Sequence, residues 1–364
     1  MIKTRFLGVV GIACVLAACG VPAEVTPTLA PAAAASATQA ADLNAIKSYL
    51  LGKSAELNRA SSALKQASDQ YYTLAKAANF DYAQLWANNR AEAIAAIAAG
   101  RAAWMLASPG YEQMEGIVAG TPSLAQFDVD LDAGSSSADD PASAVSFDLT
   151  LPDGRVLQKP GNLFGITEST LWGTAPEFTA PVAADFDTDG QVEFGEALPD
   201  ANALKGSVDL LAAMSADLGT AATAWVPTES DAFTALVVMV PTMNEYFGSW
   251  KDSRFVAGDA SAQRDFVAIS RLADIQNILG SLQVVHESVS PRIASVDAAQ
   301  DAQIAAGLAD LKAFVADVYT QEQQGKIFSA EEADTLGAEA QARADAITGK
   351  VAQAAAQLNV AIAE

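Results

Sequence analysis

Histidine and cysteine, the side chains that most often bind transition metals or carry nucleophilic catalysis, are almost missing from this chain of 364 residues. Its one histidine is His286, and its two cysteines are Cys14 and Cys19. A zinc site built from several histidines or cysteines is therefore excluded. The sequence also lacks the H-E-x-x-H, G-x-S-x-G and P-loop motifs of common enzymes. These absences argue against a hydrolase and leave oxygen atoms as the main metal ligands.

Basic residues are also scarce, with 21 lysines and arginines against 44 aspartates and glutamates and a formal net charge of −23. Binding to nucleic acid needs a basic surface, so nucleic acid is excluded as a partner. An acidic surface favours solubility and attracts cations. Most of these carboxylates are expected to be solvated groups at the surface.

The N-terminus has the pattern of an export signal. Lys3 and Arg5 precede an apolar stretch, residues 6–18, which is shorter than the about 20 residues that a membrane-spanning helix needs. The stretch ends in Leu16-Ala17-Ala18-Cys19, which resembles a lipobox. We therefore expect residues 1–18 to be a lipoprotein signal peptide, and Cys19 to carry a lipid that anchors the mature protein to a membrane of the cell envelope, outside the cytoplasm. In the alternative, an ordinary signal peptide is cleaved nearby and Cys19 has no role.

Composition divides the rest of the chain into a flexible tether, residues 19–41, and a domain, residues 42–364. The tether is rich in Pro, Ala, Thr and Ser and has no hydrophobic periodicity. In the domain, good helix formers dominate on both sides of an irregular insert at about 120–199. Apolar residues recur there at helical spacing, and Ser108-Pro109-Gly110 predicts the end of the second helix. The predicted fold class is all-α, a helical bundle with a small β-containing insert.

Local signals predict further boundaries. Residues 146–151 alternate between polar and apolar, and the turn sequence Pro152-Asp153-Gly154 leads to a second short strand, which together predict a β-hairpin. Capping boxes at 228–231 and 329–332 predict the starts of two later helices.

The sharpest motif is an EF-hand-like calcium loop at residues 185–196. Its ligand positions 1, 3, 5, 7, 9 and 12 are occupied by Asp185, Asp187, Asp189, Gln191, Glu193 and Glu196. Gly190 lies at position 6, where the chain must turn sharply. The carboxylates of this loop repel one another, and Ca²⁺ would remove that repulsion. Because Pro176 and Pro181 precede the loop, no entering helix is expected, and we predict a solitary structural calcium site. The alternative is a solvated acidic turn.

Three segments carry a resemblance to a known family. Residues 164–173, which contain Glu168, resemble the H-x-x-E segment of imelysin-like proteins, a group that includes the EfeO/EfeM-type component of bacterial iron uptake. Residues 252–255 and 270–280 resemble the acidic-Arg-aromatic segment and the helix that follows it. The resemblance implies an imelysin-like helical bundle of two lobes, a role in iron capture or delivery, and a permease as a partner.

The sequence departs from the family pattern at one position, because Gly165 stands where the family has histidine while Glu168 remains. A metal other than calcium, iron above all, would then need oxygen ligands, which suit hard ions. The acidic residues in or near the resembling segments are Glu168, Glu245, Asp252 and Asp274. For any single one of them we favour a simpler role than that of a metal ligand, namely surface charge or an ion pair with Arg254 or Arg271.

Three functions fit the sequence. The first is a membrane-tethered, extracytoplasmic metal-binding lipoprotein, with iron uptake or delivery as its role and calcium in the loop. The second is a calcium-stabilised structural or interaction lipoprotein without a transport role. The third is a degenerate imelysin-type peptidase, which the missing ligand set disfavours. The aromatic residues of 246–255 form either bundle core or a ligand groove.

Overall fold

The computed structural model describes residues 41–136 and 144–363. The predicted signal peptide, Cys19 and the tether up to residue 40 lie outside this range. In the described part of the chain the α-helices are α1 (Leu43–Ala77), α2 (Tyr82–Val118), α3 (Ala125–Asp128), α4 (Leu163–Trp172), α5 (Ala201–Ala224), α6 (Glu229–Met239), α7 (Met243–Asp252), α8 (Arg254–Ala257), α9 (Arg271–Gln323) and α10 (Ala330–Leu358). A π-helical turn, Val129–Ala133, extends α3. None of the described helices is both long and apolar enough to cross a bilayer.

The helices pack in two groups. In the first, α1 lies against α2 and α5, and in the second, α10 lies against α7 and α9. Contacts between α2 and α9 join the groups. The apolar stripe of α1 explains its place, because Leu50, Leu57, Leu64 and Tyr71 recur every seven residues and are all fully buried. Each such side chain stabilises the fold by roughly 1.5–3 kcal/mol on burial.

The predicted end of the second helix at Ser108-Pro109-Gly110 is wrong, because α2 continues through Pro109 to Val118. A proline inside a helix costs about 3 kcal/mol. Beyond it, however, Tyr111, Met114 and Ile117 are buried in the core. Their burial, at roughly 1.5–3 kcal/mol for each large apolar side chain, outweighs the cost of the proline.

Helix α9 is folded back on itself. Asp297 has non-helical backbone angles (φ −153°, ψ 95°). The two halves run antiparallel, because Nζ of Lys312 donates a 3.3 Å hydrogen bond to Oε1 of Gln283 and Asp301 pairs with His286. His286 in the first half is buried, and its Nε2 lies 3.0 Å from Oδ1 of Asp301 in the second. His286 is therefore a packed side chain of this helical hairpin.

The β structure is limited to two small antiparallel sheets in the described residues, so the predicted all-α fold with a small β insertion is confirmed. Strands β1 (Asp148–Thr150) and β2 (Val156–Gln158) form the predicted hairpin, with Leu149 opposite Leu157. Strands β3 (Thr179–Ala183) and β4 (Ala197–Pro199) bracket the acidic loop. Both predicted capping boxes are present, at the starts of α6 and α10.

Candidate metal centres

Three buried carboxylates converge at the end of α2. Glu112 and Glu115 are one helical turn apart, and Asp132 comes from the π-helical turn that follows α3. One oxygen atom from each lies within 4.8 Å of the others. Their side chains are almost inaccessible to solvent, at 1 %, 2 % and 4 % exposure. We call Glu112, Glu115 and Asp132 the acidic triad.

Helix α9 brings one positive charge to this triad. Nη1 of Arg271 lies 3.4 Å from Glu112 Oε1, 3.7 Å from Asp132 Oδ2 and 3.3 Å from Asp274 Oδ2. The close crossing of the two helices depends on Gly116, because a Cβ there would lie 2.5 Å from the Oγ of Ser281 in α9. The triad and Asp274 thus place four buried carboxyl groups around one guanidinium, so these acids cannot all be ionised unless further positive charge is present.

Tyrosine hydroxyl groups donate hydrogen bonds to only some of the buried carboxylate oxygens. Tyr246 Oη donates a 2.8 Å hydrogen bond to Glu115, and Tyr111 Oη donates one of 2.7 Å to the nearby Asp128. Four buried carboxylate oxygens of the triad and Asp274 have no hydrogen-bond partner within residues 41–136 and 144–363: Glu112 Oε2, Glu115 Oε2, Asp132 Oδ2 and Asp274 Oδ1. Buried polar atoms are normally paired, so these oxygens call for a ligand that donates or carries positive charge.

Burial dominates the electrostatics of the cluster. It raises the pKa of Glu112 and of Asp128 well above the usual range, and neighbouring carboxylates add to the shift. Burial also raises the pKa of Asp132 to about 8 and that of Asp274 to about 7, against the opposing effect of Arg271. Without a bound cation the cluster therefore holds protons near neutral pH, and a cation would displace them.

A cavity of about 530 Å³ adjoins the cluster. The residues that line it include Glu115, Asp132 and Arg271 of the cluster and Glu245 and Tyr246 of α7. Among the aromatic residues whose role was open, Tyr246, Phe247 and Trp250 all belong to the bundle core, and Tyr246 also lines this cavity.

Glu168 does not belong to the acidic triad. Its Oε2 accepts a hydrogen bond from the backbone N–H of Phe266 (2.7 Å), and its Oε1 accepts bonds from Val267 (3.0 Å) and Ala268 (2.8 Å). Burial raises the pKa of Glu168 to about 8, an effect that the three N–H donors oppose. The observed role of Glu168 is to hold the segment that leads into α9, and its role as a ligand remains a prediction.

Two side-chain oxygen atoms lie close to Gly165. A Cβ at this position would lie 2.8 Å from Asp265 Oδ2 and 3.0 Å from Asn162 Oδ1. The carboxylate of Asp265 therefore approaches the helix where any larger side chain would have to displace it.

The other acidic residues that the sequence offers as metal ligands have different environments in the structure. Asp274 is buried beside Arg271, Glu245 lines the cavity, and Asp252 is exposed. Glu112, Glu115 and Asp132 are not among the candidate ligands that the sequence predicts. The available signals were a Glu-x-x-Glu spacing just after Pro109 and the alternating acids Asp128, Asp130 and Asp132.

The acidic loop, residues 185–196, lies between β3 and β4, so that strands and not helices flank it. The carboxylate oxygens of Asp185, Asp187 and Asp189 lie within 4.8 Å of one another. Asp185 accepts hydrogen bonds from the backbone N–H groups of Thr188 (2.6 Å) and Gly190 (2.9 Å). Gly190 has φ of +93°, which fits the sharp turn predicted at position 6.

The remaining ligand positions of the loop are placed differently. Glu196 closes the loop, because its carboxylate accepts backbone hydrogen bonds from Glu193 (2.9 Å), Phe186 (2.7 Å) and Asp187 (3.2 Å). These bonds lower the pKa of Glu196. Gln191 and Glu193 are exposed.

Helix α2 also anchors this loop. The guanidinium of Arg90 donates to the carbonyl oxygen of Asp185, and that of Arg101 donates to the carbonyl oxygens of Leu171 and Gly195. The ring of Phe186 packs on Trp86, with 5.7 Å between ring centroids. The loop is therefore fixed to the helix that carries Glu112 and Glu115.

Comparison with known proteins assigns the family. None of the curated proteins matches the chain. A family model described as Imelysin matches residues 29–353, which include α1 to α9 and most of α10. The match covers far more than half of the sequence, and the chain therefore belongs to the imelysin family.

Proposed function

We propose that this protein is a membrane-tethered, extracytoplasmic lipoprotein that binds a hard metal ion, with iron as the leading candidate, at the acidic triad for uptake or delivery. The observation that carries the proposal is the convergence of Glu112, Glu115 and Asp132 within 4.8 Å in the core. Family membership supports the same role.

The chemistry of the triad favours a cation over other ligands. Moving a carboxylate from water into a protein interior is costly unless an opposite charge or hydrogen bonds offset the loss of hydration. Arg271 supplies one positive charge for four carboxylates. Carboxylate oxygens suit hard ions such as Fe³⁺ and Mn²⁺ better than they suit soft ones. The adjoining cavity would give such an ion a path to the triad.

The lipid anchor is part of the proposal and rests on the sequence alone. The Leu16-Ala17-Ala18-Cys19 pattern would place the lipid on Cys19, and a permease in the same membrane would be the natural partner of a tethered carrier.

We propose further that the protein is not a peptidase, although the name of its family model contains the word peptidase. The single histidine is packed against Asp301, and it lies 15 residues after Arg271 on α9. At 1.5 Å per residue this spacing is roughly 22 Å, too far for His286 to join the triad. Cleavage of a peptide substrate that is lost in an E115Q variant would overturn this part of the proposal.

The second candidate is a calcium-stabilised structural lipoprotein. Its support is the twelve-residue pattern at 185–196 together with the convergence of Asp185, Asp187 and Asp189. Extracellular calcium modules bind with Kd of roughly 10⁻⁴–10⁻³ M, which suits a structural ion. One chain can contain both the acidic triad and a calcium site at 185–196. The two proposed functions differ in whether the triad binds a metal ion.

Metal binding by two variants tests the proposal. We expect E112Q/E115Q to lose Mn²⁺ and iron but to keep Ca²⁺, and D185A/E196A to show the reverse. The two variants serve as controls for each other, and circular dichroism checks that each is folded. If E112Q/E115Q binds Mn²⁺ and iron as tightly as the wild type does, the triad is not the metal site. If calcium is the one ion bound, the structural alternative holds.

A further inference from the structure

We propose that Arg271 is an internal counter-cation of the acidic triad, which competes with the bound metal ion and so sets how tightly the protein holds it. This inference rests on the proposed function, because it concerns the same triad.

The distances around Arg271 indicate a charge that is shared rather than a set of tight bonds. A single nitrogen, Nη1, faces Glu112, Asp132 and Asp274 at 3.3–3.7 Å. Charge-assisted hydrogen bonds of an arginine are usually about 2.7–2.9 Å long and often bidentate. Nη1 is thus placed between three acids without a bidentate bond to any of them, and Nε of Arg271 has no hydrogen-bond partner in the part of the chain that the structure describes.

Two aromatic rings fix the position of the guanidinium. Its central carbon lies 4.7 Å from the ring centroid of Tyr246 and 4.1 Å from that of Phe266. Both rings are themselves held, since Tyr246 donates to Glu115 and the backbone N–H of Phe266 donates to Glu168. Glu168 therefore acts on the triad indirectly, by placing Phe266 against Arg271. Cation–π contacts of this kind strengthen when water is excluded.

This arrangement has a consequence for binding. An ion at the triad must share Glu112 and Asp132 with Arg271, and the two positive charges repel each other across a few ångströms of protein interior. The repulsion weakens the hold on the ion. A carrier that hands its ion to a partner needs such a limit, because four buried carboxylates without a competing charge would release a cation slowly.

Neutralising Arg271 tests the inference in the full-length mature protein, with Mn²⁺ as the probe because it is stable to oxidation. The R271Q variant should bind Mn²⁺ at least tenfold more tightly than the wild type when both proteins are titrated at the same pH. Its ion-free form should unfold at lower temperature than ion-free wild type. A merely structural role for Arg271 would weaken binding, not strengthen it.

The matched control is R264Q. Arg264 lines the same cavity, but its guanidinium pairs with the exposed Glu177 at 2.5 Å, and we expect its Mn²⁺ affinity to stay within twofold of wild type. A second variant, R271K, keeps the charge and loses the planar stacking, so its affinity should stay within about threefold. If R271Q does not fold without metal, the Mn²⁺ affinity of R271K still tests the inference.

Each outcome separates the inference from the proposed function. If the wild type binds Mn²⁺ at the triad and folded R271Q binds equally or more weakly, the role of Arg271 as a competitor is overturned and the proposed function stands. Tenfold tighter binding by R271K would also overturn it, because the charge would not be the determinant. If R271Q alone binds Mn²⁺, the competition is supported and the metal-binding role of the wild type fails. Absence of binding in both overturns both.

Discussion

The ion-free protein should lose stability as the pH rises from about 5.5 to 8. Burial raises the pKa of Asp132 and Glu168 to about 8 and that of Asp274 to about 7. In an unfolded chain such groups titrate at roughly 3.9–4.3. Between these values the folded protein holds protons that the unfolded chain has released. Their contribution to stability is therefore complete at pH below about 4 and is lost as the pH rises through 8.

The magnitude follows from the number of protons. Each proton held by the folded state alone changes the free energy of unfolding by about 1.4 kcal/mol per pH unit. Asp132, Glu168 and Asp274 would together give about 4 kcal/mol per unit if they titrated independently, and because Asp132 and Asp274 interact through Arg271 we expect about half of that. Glu112 and Asp128, whose pKa values burial also raises, act in the same direction. His286 acts in the opposite direction, since burial lowers its pKa and the unfolded chain takes up a proton first. One such group does not reverse the trend of three.

Urea unfolding in the presence of a chelator at pH 5.5, 6.5 and 7.5 measures the effect. The free energy of unfolding should fall with each step, and the D132N/D274N variant should show a flatter dependence. Saturating Mn²⁺ should reverse the slope, because a metal ion competes with protons for the same oxygens. If the ion-free wild type instead becomes more stable from pH 5.5 to 7.5, the buried carboxylates are ionised in the folded state and the reasoning fails.

Three further predictions address separate parts of the molecule. E168A should lower the free energy of unfolding by roughly 3 kcal/mol or more, since it leaves three backbone N–H groups without their acceptor, and urea denaturation of E168Q alongside measures how much one remaining oxygen restores. D185A/E196A should abolish the rise in Tm that millimolar Ca²⁺ produces in the wild type, and an equal rise in the variant would place calcium elsewhere. M114A should cost about 2–5 kcal/mol at a fully buried core position of α2, as measured by urea denaturation, and a loss below 1 kcal/mol would show that α2 is loosely packed beyond Pro109.

The parts of the structure that sequence reasoning predicted are those set by neighbours in the chain. The hairpin at Pro152-Asp153-Gly154 and the turn at Gly190 depend on backbone preferences of a few adjacent residues. The capping boxes of α6 and α10 close within four residues. Such features need no knowledge of the rest of the fold.

The acidic triad could not be predicted in the same way, because its members meet through tertiary packing. Glu112 and Asp132 are 20 positions apart in the chain, and Arg271 comes from a helix much later in the sequence. Pro109 also misdirected the prediction, since it suggested that Glu112 and Glu115 follow the end of a helix. Nothing in the sequence next to Pro109 indicates that the side chains of Glu112 and Glu115 are buried.

The continuation of α2 past Pro109 links the stability of the fold to the candidate site. If the helix ended there, Glu112 and Glu115 would not be held one turn apart on a rigid face. Burial of Tyr111 and Met114 is what keeps the helix intact, and the same helical turns then aim both carboxylates at Asp132. Towards its other end, α2 holds the acidic loop through Arg90 and Arg101. One helix thus positions both candidate ion sites, and the apolar packing around it holds Glu112 and Glu115 in the positions that a metal ion would need.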